Sequence, residues 1–304
     1  MAFTAKDVQA LREKTGVGMM DCKKALTEAD GDVERAVDIL REKGLAAAAK
    51  KSGRIAAEGA VLAYQNTQNT LGAIVEVNAE TDFVAKNESF RSFVLTVAET
   101  VAEQNPDTME ILLSLKPADS AYTMGEMLNE KVLTIGENIK IRRFARYDGY
   151  VATYVHGGGR IGVIVKFDVS DATAAKPELQ ELGKDIAMQI AAANPLYLNK
   201  NTVPTDVLEH EKRVLTEQVL GEGKPAAIAE KIVAGKIGKY YKENCLVDQP
   251  YIKDGEISVQ QHIDAVAKSL GGAIAVLGFE RFEKGEGLEK RSDDFAAEIA
   301  SLVK

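Results

Sequence analysis

Three histidines and two cysteines are the side chains of this sequence best suited to acid–base or nucleophilic chemistry. His156, His210 and His262 have no serine or cysteine neighbour arranged as a nucleophile pair, which favours a surface or interface role for each. Cys22 and Cys245 stand far apart in the sequence, a spacing that indicates neither a disulfide framework nor a pair of metal ligands. We therefore expect a reducing compartment and no covalent chemistry by these side chains.

A glycine-rich segment, HGGGRIG at 156–162, has the composition of a phosphate-binding loop. It lacks the Gly-Lys-Ser/Thr ending of such loops and lies between two predicted strands, so a hairpin turn is the better interpretation. The adjacent carboxylates Asp293 and Asp294 favour a helix cap over an acid–base couple. No spacing of histidine, cysteine and carboxylate residues resembles a metal cage. We expect no cofactor and no metal, and a binding protein with several docking surfaces rather than an enzyme.

The segment NAETDFVAKN, residues 78–87, places one aromatic side chain among polar neighbours. It directly follows the apolar run LGAIVEV at 71–77, which has the composition of a buried strand. Two interpretations of Phe83 stay open from these residues: the ring covers the end of its own strand, or it contacts another protein. The choice between these two interpretations depends on the helices and strands that surround the segment.

The composition is that of a globular protein with more than one compact unit. The chain has 304 residues, of which 45% are hydrophobic and 28% are charged, and this length suits two or three units. Its net charge of -8 gives no support to binding along nucleic acid, which normally requires an excess of clustered Lys and Arg. The amino terminus lacks an apolar signal core, and no apolar stretch approaches the roughly 20 residues of a membrane helix. We expect a cytoplasmic protein that binds neither nucleic acid nor membrane.

Residues 1–54 are predicted to form a small three-helix module followed by a tether. Thr4 and Asp7 have the spacing of a capping box at the start of the first helix. Gly44 is predicted to end the third helix, and the alanine- and lysine-rich residues 45–53 are predicted to be a tether that could be helical at its start. Because its core is thin, such a module gains part of its stability from the surface on which it docks.

The larger part of the chain contains an internal repeat. The runs EGAVLAY and LGAIVEV match DGYVATY and IGVIVKF with the same spacing, and each pair has the pattern of a β-hairpin. A helix-period segment ending in Asn-Pro follows each hairpin, and the closing segments IGENIKIRRFAR and LGGAIAVLGFER also match. The order strand, strand, helix, helix, strand in each copy predicts a duplicated α+β core. Its two three-stranded antiparallel halves are predicted at 55–147 and 148–282.

The second half differs from the first by an insertion. Residues 204–242 contain two helix-period stretches around the break GEGKP, which predicts an antiparallel helical hairpin that projects from the core. The last residues, 283–304, are predicted to form a carboxy-terminal helical module, with Phe295, Ile299 and Leu302 on one side of its helix. The fold class is therefore predicted to be α+β, with small helical units at both ends.

Four motifs are specific enough to indicate a family. They are LREKTGVGMMDCKKALTEADGDVERAVDILREKG, NAETDFVAKN, IGENIKIRR and HGGGRIGVIV, of which the first two are long and contiguous. The chain that carries them resembles bacterial elongation factor Ts across essentially its whole length. The resemblance implies that the amino-terminal module is similar to a ubiquitin-associated domain and that the repeated core has two subdomains. It also implies that the helical hairpin is a coiled coil and that a final helix packs on the partner.

The resemblance further implies guanine-nucleotide exchange on elongation factor Tu, the GTPase that delivers aminoacyl-tRNA to the ribosome. An exchange factor performs no covalent chemistry. The motif Thr81, Asp82, Phe83 and Val84 is then expected to enter the nucleotide domain of the GTPase near its magnesium site. By the same resemblance, Phe83 acts there as an apolar wedge that shifts the groups holding magnesium and the phosphates, so that GDP leaves and GTP can bind.

Other contacts with the GTPase follow from the resemblance as well. The residues that match them are Met19, Met20, Lys23, Ile135, Gly136 and His156. Met19 also lies on an apparent core stripe of its helix, so a core role stays open for it. Gly136 could equally serve as a turn glycine, since the repeat has a glycine at the matching position. The three glycines after His156 make a loose turn, which leaves the pose of its imidazole open.

Two other functions compete with the exchange factor. The chain could be an adaptor that binds other proteins through its amino-terminal module, with the repeated core as a scaffold. A hydrolase or transferase that uses the turn at His156 is a more distant alternative. The helical hairpin could pair with a second copy, in a homodimer or a two-plus-two assembly with the GTPase, or contact the GTPase, or do neither. The sequence does not decide the oligomeric state.

Overall fold

Two three-stranded antiparallel sheets form the centre of the fold, as a computed structural model describes it for residues 3–289. The strands in this range are β1 (Glu58–Gln65), β2 (Leu71–Ala79), β3 (Lys140–Asp148), β4 (Tyr150–His156), β5 (Ile161–Val169), β6 (Pro250–Tyr251), β7 (Asp254–Ser258) and β8 (Ile274–Glu283). The first sheet has the order β1-β2-β3 and the second has the order β4-β5-β8, while β6 and β7 pair as a short hairpin. Antiparallel sheets combined with helices confirm the predicted α+β class.

Helices flank both sheets. Those in the described part of the chain are α1 (Ala5–Thr15), α2 (Met19–Glu28), α3 (Val33–Lys51), α4 (Asp82–Ala85), α5 (Glu88–Gln104), α6 (Met109–Ser114), α7 (Met124–Ile135), α8 (Asp171–Ala174), α9 (Pro177–Ala193), α10 (Thr205–Gly221), α11 (Ala226–Asn244) and α12 (Val259–Leu270). α5 packs on the first sheet and α9 packs on the second. Within residues 3–289, no helix has both the length and the apolar character needed to cross a membrane.

The first three helices form a module with its own small core. Thr4 and Asp7 each accept a hydrogen bond from the backbone N–H of the other, so the predicted capping box is present. The buried apolar residues of the module are Val8, Leu11, Val17, Cys22, Ala25, Leu26, Ala29, Ala36 and Leu40. Leu133 of α7 packs against this cluster, and α3 lies along α7. The module therefore rests on the first half of the core, which supplies apolar contacts that its own few side chains do not.

The prediction that Gly44 ends the third helix is wrong. α3 continues to Lys51, because the four alanines at 46–49 favour helix strongly. Gly44 is buried inside this helix, and a Cβ placed on it would lie 3.4 Å from the Asn129 backbone oxygen. The glycine thus allows α7 to approach α3 closely instead of stopping α3. Most of the predicted tether is helix, and only residues 52–57 connect α3 to β1.

The two sheets pack face to face through a small apolar layer. Its buried residues are Val61, Ile74, Val151, Ile164 and Phe282. Gly72 of β2 and Gly162 of β5 lie at matching positions in this layer. A Cβ placed on Gly162 would lie 2.5 Å from Val61 Cγ1, and one placed on Gly72 would lie 2.8 Å from the Tyr64 backbone oxygen and 3.1 Å from Val151 Cγ2. The two glycines therefore let each sheet admit a valine of the other.

Both halves of the core stop their helices in the same way. Asn105 caps α5 with a φ of 48°, and Asn194 caps α9 with a φ of 47°. This is the left-handed conformation, which asparagine tolerates better than most residues. Gly136 and Gly271 cap α7 and α12, with φ values of 86° and 69°. The strands and the helices with these caps follow the element order expected from the repeat. Each half also has a short helix after its hairpin, α4 or α8, and the first half adds α6 while the second adds β6 and β7 besides the α10–α11 hairpin.

Two predictions for the carboxy-terminal part of the chain have different outcomes. α10 ends at Gly221 and α11 begins at Ala226, so the predicted helical hairpin is present, with its break where expected. The two helices share a buried cluster formed by Val219, Ala229, Val233 and Ile237. The predicted carboxy-terminal helix, including its Asp293 cap, falls mainly on residues 290–304, which lie outside the described residues. β8 itself extends to Glu283.

A buried carboxylate binds the turn after β8 to the first sheet. Glu76 of β2 accepts hydrogen bonds from Arg142 Nη1 at 3.0 Å, from Arg143 Nε at 2.6 Å and from the Gly285 N–H at 2.8 Å. Burial alone would raise the pKa of Glu76, but hydrogen bonds from Gly285, Asn78 and Arg143 lower it below its ordinary value. Glu76 is therefore charged when folded and connects the two halves of the core.

Candidate protein-binding site

The segment after β2 forms the four-residue helix α4. Thr81 caps this helix, with its hydroxyl oxygen 3.5 Å from the Val84 N–H. Val84 is only 8% exposed and packs into the core of the first half, whereas Phe83 is 80% exposed. The two neighbours face different surroundings because consecutive helical residues point about 100° apart. Phe83 therefore does not cover the end of its own strand, and its ring is free to contact another molecule.

Glu137, in the turn after α7, holds the start of α4. Its Oε2 accepts hydrogen bonds from the backbone N–H groups of Glu80 and Thr81 at 3.1 and 3.0 Å, and its Oε1 accepts one from the Thr81 hydroxyl at 2.7 Å. In return, the Glu80 carboxylate accepts a hydrogen bond from the Asn138 N–H at 2.6 Å. The sequence analysis missed Glu137 although it lies in the IGEN motif, because its partners are 56 and 57 residues away. Two distant turns are thereby joined into one surface.

Asp82, the first residue of α4, pairs with Lys86 one turn later. The Lys86 ammonium lies 2.7 Å from Asp82 Oδ2, and this hydrogen bond lowers the pKa of the carboxyl below its ordinary value. The same ammonium lies 6.0 Å from the centre of the Phe83 ring, at the limit of a cation–π contact. Asp82 and Lys86 are both exposed, so a partner can replace their contact with little loss of stability.

Phe83 lines a groove between α4, α7 and the turn after α1. The groove has a volume of about 450 Å³ and is lined by Gly16, Phe83, Val84, Asn87, Ser89, Glu130, Lys131, Thr134 and Ile135. The fold thus brings Phe83, Val84 and Ile135 together from two motifs that are far apart in the sequence. Gly136 follows Ile135 on the exposed surface, where its positive φ favours glycine. The result is a concave surface with one protruding aromatic ring.

Met19 and Met20 open α2 on an exposed part of the three-helix module. They are 43% and 63% exposed, and Lys23 one turn later is also exposed. A core role for Met19 is therefore wrong: the buried Val17 supplies the apolar contact just before α2 begins. These three side chains do not line the Phe83 groove, although Gly16, in the same turn, does. The module places two apolar side chains and one charge on its surface.

His156 ends β4 in the second half of the core and does not line the groove. Its imidazole is exposed, with Nδ1 3.0 Å from the Tyr154 hydroxyl. The glycines after it connect β4 to β5, which confirms a hairpin turn rather than a phosphate loop. Arg91 of α5 donates a hydrogen bond to the Gly158 carbonyl at 2.7 Å. His156 thus lies on a second surface, whose turn is tied to the first half.

The other two histidines have structural surroundings. His210 lies on α10, where its Nδ1 is 2.9 Å from Nη2 of Arg213. His262 stacks on Tyr251 with 4.1 Å between the ring centres, and burial lowers the pKa of His262. The Tyr251 hydroxyl donates to Asp185 at 2.6 Å. Neither contact set pairs a histidine with a serine or cysteine, so neither forms a nucleophile pair.

Comparison with known proteins assigns these motifs to one family. The family described as elongation factor TS matches residues 80–286. An elongation factor Ts of Clostridium perfringens (strain SM101) is 51% identical over 303 residues, covering 99% of each chain. An elongation factor Ts of Clostridium botulinum (strain Eklund 17B) is also 51% identical, over 304 residues and 99% of each chain. The chain belongs to the elongation factor Ts family. Membership in the elongation factor Ts family implies a nucleotide exchange factor of protein biosynthesis, with elongation factor Tu as its partner.

In this member of the elongation factor Ts family, the exposed aromatic ring belongs to one half of the core only. α8 occupies the place of α4 in the second half, and its cap Ser170 corresponds to Thr81. Counting from these caps, Phe83 corresponds to Ala172, and the buried Val84 corresponds to the buried Thr173. The two halves thus share a capped turn with a buried third position, but only the first half has an aromatic ring at the second position.

Proposed function

We propose that the chain promotes GDP release from elongation factor Tu by inserting Phe83 beside the magnesium and phosphate site of the GTPase. One observation carries the proposal: the Phe83 ring is 80% exposed on a short helix. Val84 anchors this helix in the core, and Glu137 accepts a hydrogen bond from its cap residue Thr81. The inserting motif is Thr81, Asp82, Phe83 and Val84. GTP binds after GDP has left, and the chain performs no covalent chemistry in this cycle.

The physical basis is competition between two bound states of the GTPase. Mg²⁺ requires nearly octahedral coordination and keeps few protein ligands, so a small displacement of its surroundings weakens nucleotide binding. Burial of one Phe side chain contributes up to about 3 kcal/mol, which offsets part of that distortion. By thermodynamic reciprocity, bound nucleotide weakens the binding of the exchange factor to the GTPase by the same factor. A coupling free energy of about 3 kcal/mol corresponds to a change in affinity on the order of a hundredfold.

Further residues are proposed to contact the GTPase outside the wedge. They are Met19, Met20, Lys23, Ile135, Gly136 and His156. Exposure of the two methionines and of His156 supports contacts of this kind, and Ile135 borders the Phe83 groove. We propose that all contacts are made by protein rather than nucleic acid, in the cytoplasm, where translation takes place. The hairpin of α10 and α11 is proposed to serve a homodimer or a two-plus-two assembly.

We also propose a division of the chain that follows this function. Residues 1–54 would form a unit similar to a ubiquitin-associated domain, 55–147 and 148–282 two subdomains derived by duplication, and 283–304 a helical module. Matching caps at Asn105 and Asn194 support the duplication. The hairpin at about 204–242 then counts as an insertion in the second subdomain.

Nucleotide release provides the test of the proposed function. Elongation factor Tu loaded with a fluorescent GDP derivative is mixed with excess GDP, with and without catalytic amounts of the chain. We expect the chain to accelerate the fluorescence change at a small fraction of the GTPase concentration. Unchanged release at saturating concentrations would reject the proposal. Binding to the GTPase without faster release would instead support the adaptor function.

A further inference from the structure

We propose that Glu137 is a positioning residue of the exchange surface, which fixes the helix turn from which Phe83 projects. This inference rests on the proposed function, in which Phe83 is the wedge. Glu137 itself is not offered as a contact of the GTPase. Its effect passes through Thr81 and the backbone of α4.

The carboxylate of Glu137 uses both oxygens on the start of α4. Oε2 accepts the Glu80 and Thr81 N–H groups, and Oε1 accepts the Thr81 hydroxyl proton at 2.7 Å. Because that hydroxyl donates to Glu137, its oxygen lone pairs turn toward the Val84 N–H. The hydrogen bonds thus run from Glu137 through the cap to the residue directly after Phe83. Hydrogen bonds to a carboxylate are stronger than neutral ones, so the three contacts of Glu137 at 2.7–3.1 Å hold Thr81, while the contact from Thr81 to Val84 is longer at 3.5 Å.

The hydrogen bonds between the two turns, which we call the brace, also fix the groove beside the Phe83 ring. Glu80 accepts the Asn138 N–H at 2.6 Å, while the Asn138 side chain donates to the Arg54 carbonyl at 2.7 Å. The turn after α7 and the turn before α4 therefore hold each other in both directions. Ile135, two residues before Glu137, lines the groove together with Phe83. Displacement of one turn would open or tilt the groove.

The second half shows that this turn folds without a carboxylate brace. Gly272 stands at the position of Glu137, counted from the matching helix ends Gly136 and Gly271. A Cβ placed on Gly272 would lie 2.6 Å from Thr173 Oγ1, and that hydroxyl is 3.0 Å from the hydroxyl of the cap Ser170. α8 nevertheless forms the same short helix.

The carboxylate of Glu137 and the aromatic ring of Phe83 therefore occur in the same half of the core. The first half has both Glu137 and Phe83, whereas the second half has Gly272 and Ala172 at the matching positions. If the carboxylate served only to form the turn, the second half would need it as much as the first. Its presence in the half that carries the ring indicates that it serves the direction of the ring.

The test compares Glu137→Ala, Glu137→Gln, Phe83→Ala and the double variant Phe83→Ala/Glu137→Ala in the nucleotide-release assay with elongation factor Tu. We expect Glu137→Ala to lower the maximal release rate by about tenfold to a hundredfold, as displaced reacting groups do, with little change in the concentration for half-maximal effect. Glu137→Gln keeps an acceptor oxygen and an N–H for the Thr81 oxygen, and we expect most activity to be retained. The double variant should release GDP no more slowly than Phe83→Ala alone, because Glu137 acts through the ring.

Three results would overturn the inference alone: full activity of Glu137→Ala, a loss in Glu137→Gln equal to that in Glu137→Ala, or multiplicative losses in the double variant. Full activity of Phe83→Ala would overturn the proposed function, and the inference with it. Thermal unfolding shows whether Glu137→Ala still folds. If it does not, Thr81→Val removes the cap hydroxyl alone, and the same non-multiplicative loss with Phe83→Ala is expected. A multiplicative loss there would overturn the inference.

Discussion

Phe83 and Val84 show how two adjacent apolar residues acquire opposite roles. Val84 is buried and holds α4 on the first sheet, while Phe83 contributes almost nothing to the core. An exposed aromatic side chain is a frequent anchor of protein interfaces, because its large area is buried only when a partner binds. Stability and partner binding should therefore separate cleanly at these two positions.

Replacement of Phe83 by alanine should remove most exchange activity and leave stability nearly unchanged. Loss of up to about 3 kcal/mol of burial free energy in the complex corresponds to roughly a hundredfold lower rate of nucleotide release. Substitutions of exposed residues, in contrast, change the free energy of unfolding by only about 0.5 kcal/mol. Nucleotide release and urea unfolding measure the two effects. Leu95→Ala is the matched control, since Leu95 is an exposed apolar residue of α5 outside the groove. A large drop in stability of Phe83→Ala would show that the ring packs on its own strand.

The sequence allowed Phe83 to be singled out, because one aromatic residue among polar neighbours is a local pattern. Glu137 could not be found in that way: its role depends on a contact with Thr81 across 56 residues. Met19 was ambiguous for another reason. Its spacing places it on the same stripe of α2 as the buried Cys22, but a helix buries a position only where another element covers it, and Met19 at the start of α2 is left exposed.

The end of α7 illustrates the contribution of a single element to the groove. Ile135 lines the groove, Gly136 closes the helix in the left-handed conformation, and Glu137 reaches the start of α4. Three consecutive residues thus line the groove, change the chain direction and form hydrogen bonds to the start of α4. Their order matters, because Glu137 can reach Thr81 only after the chain has turned.

Replacement of Gly136 by alanine should destabilise the protein through backbone conformation alone. A side chain at this position meets no atom within 4 Å, but the φ of 86° is unfavourable for alanine. We expect a loss of about 1 kcal/mol in urea unfolding. Gly136→Asn should lose less, since asparagine tolerates this conformation. Equal losses in the two variants would point to a steric cause instead.

Element types were largely predictable, whereas the end of α3 was not. The hairpins follow from alternating apolar residues and the repeat, and both patterns are local in the sequence. Gly44 has the residue type of a helix end, yet α3 continues through the alanines that follow it, and Gly44 lets α7 pack closely at Asn129. Glycines that end helices and glycines that admit a neighbouring helix look the same in a sequence. Only the tertiary contact distinguishes them.

Across the whole molecule, Glu76 connects the first sheet with the turn after β8. It pairs with Arg142 and Arg143 and accepts the Gly285 N–H, so the two halves share one buried charge. Removing one member of such a group leaves the others without a partner in a poorly solvated place. This single side chain should therefore affect the stability of both halves together.

The pH dependence of stability should reveal this charge. The folded pKa of Glu76 lies below its ordinary value, so the unfolded chain takes up a proton first as the pH falls. Its stabilising contribution is full above the ordinary carboxyl pKa of about 4.3 and is lost as the pH falls through the lower folded value. Glu76→Gln should cost about 2 kcal/mol near neutral pH, and this difference should shrink in urea unfolding below about pH 4. A difference independent of pH would show that Glu76 is not charged in the folded chain.

Replacement of Gly162 by alanine should disturb the packing of the two sheets. The new Cβ would press on Val61, and overpacking of this kind costs about 1–3 kcal/mol. Val61→Ala removes the clashing methyl groups, so the double variant should lose less in urea unfolding than the two single losses predict together. Gly235→Ala is the control, because that glycine has open space within α11 and should gain up to about 1 kcal/mol. Additive losses at Gly162 and Val61 would show that the sheets can shift apart.

The interlocked glycines Gly72 and Gly162 have a consequence for the thermodynamics of association. They let the two sheets pack directly on each other, so we expect the surface at Phe83 and the surface at His156 to keep a constant separation. For a GTPase that touches both, the second contact forms within the complex, at an effective concentration on the order of millimolar. Little conformational entropy is then lost on docking, because no hinge between the halves has to be ordered. Two weak contacts at a constant separation can together bind tightly, and release of either one lowers the residence time of the whole complex.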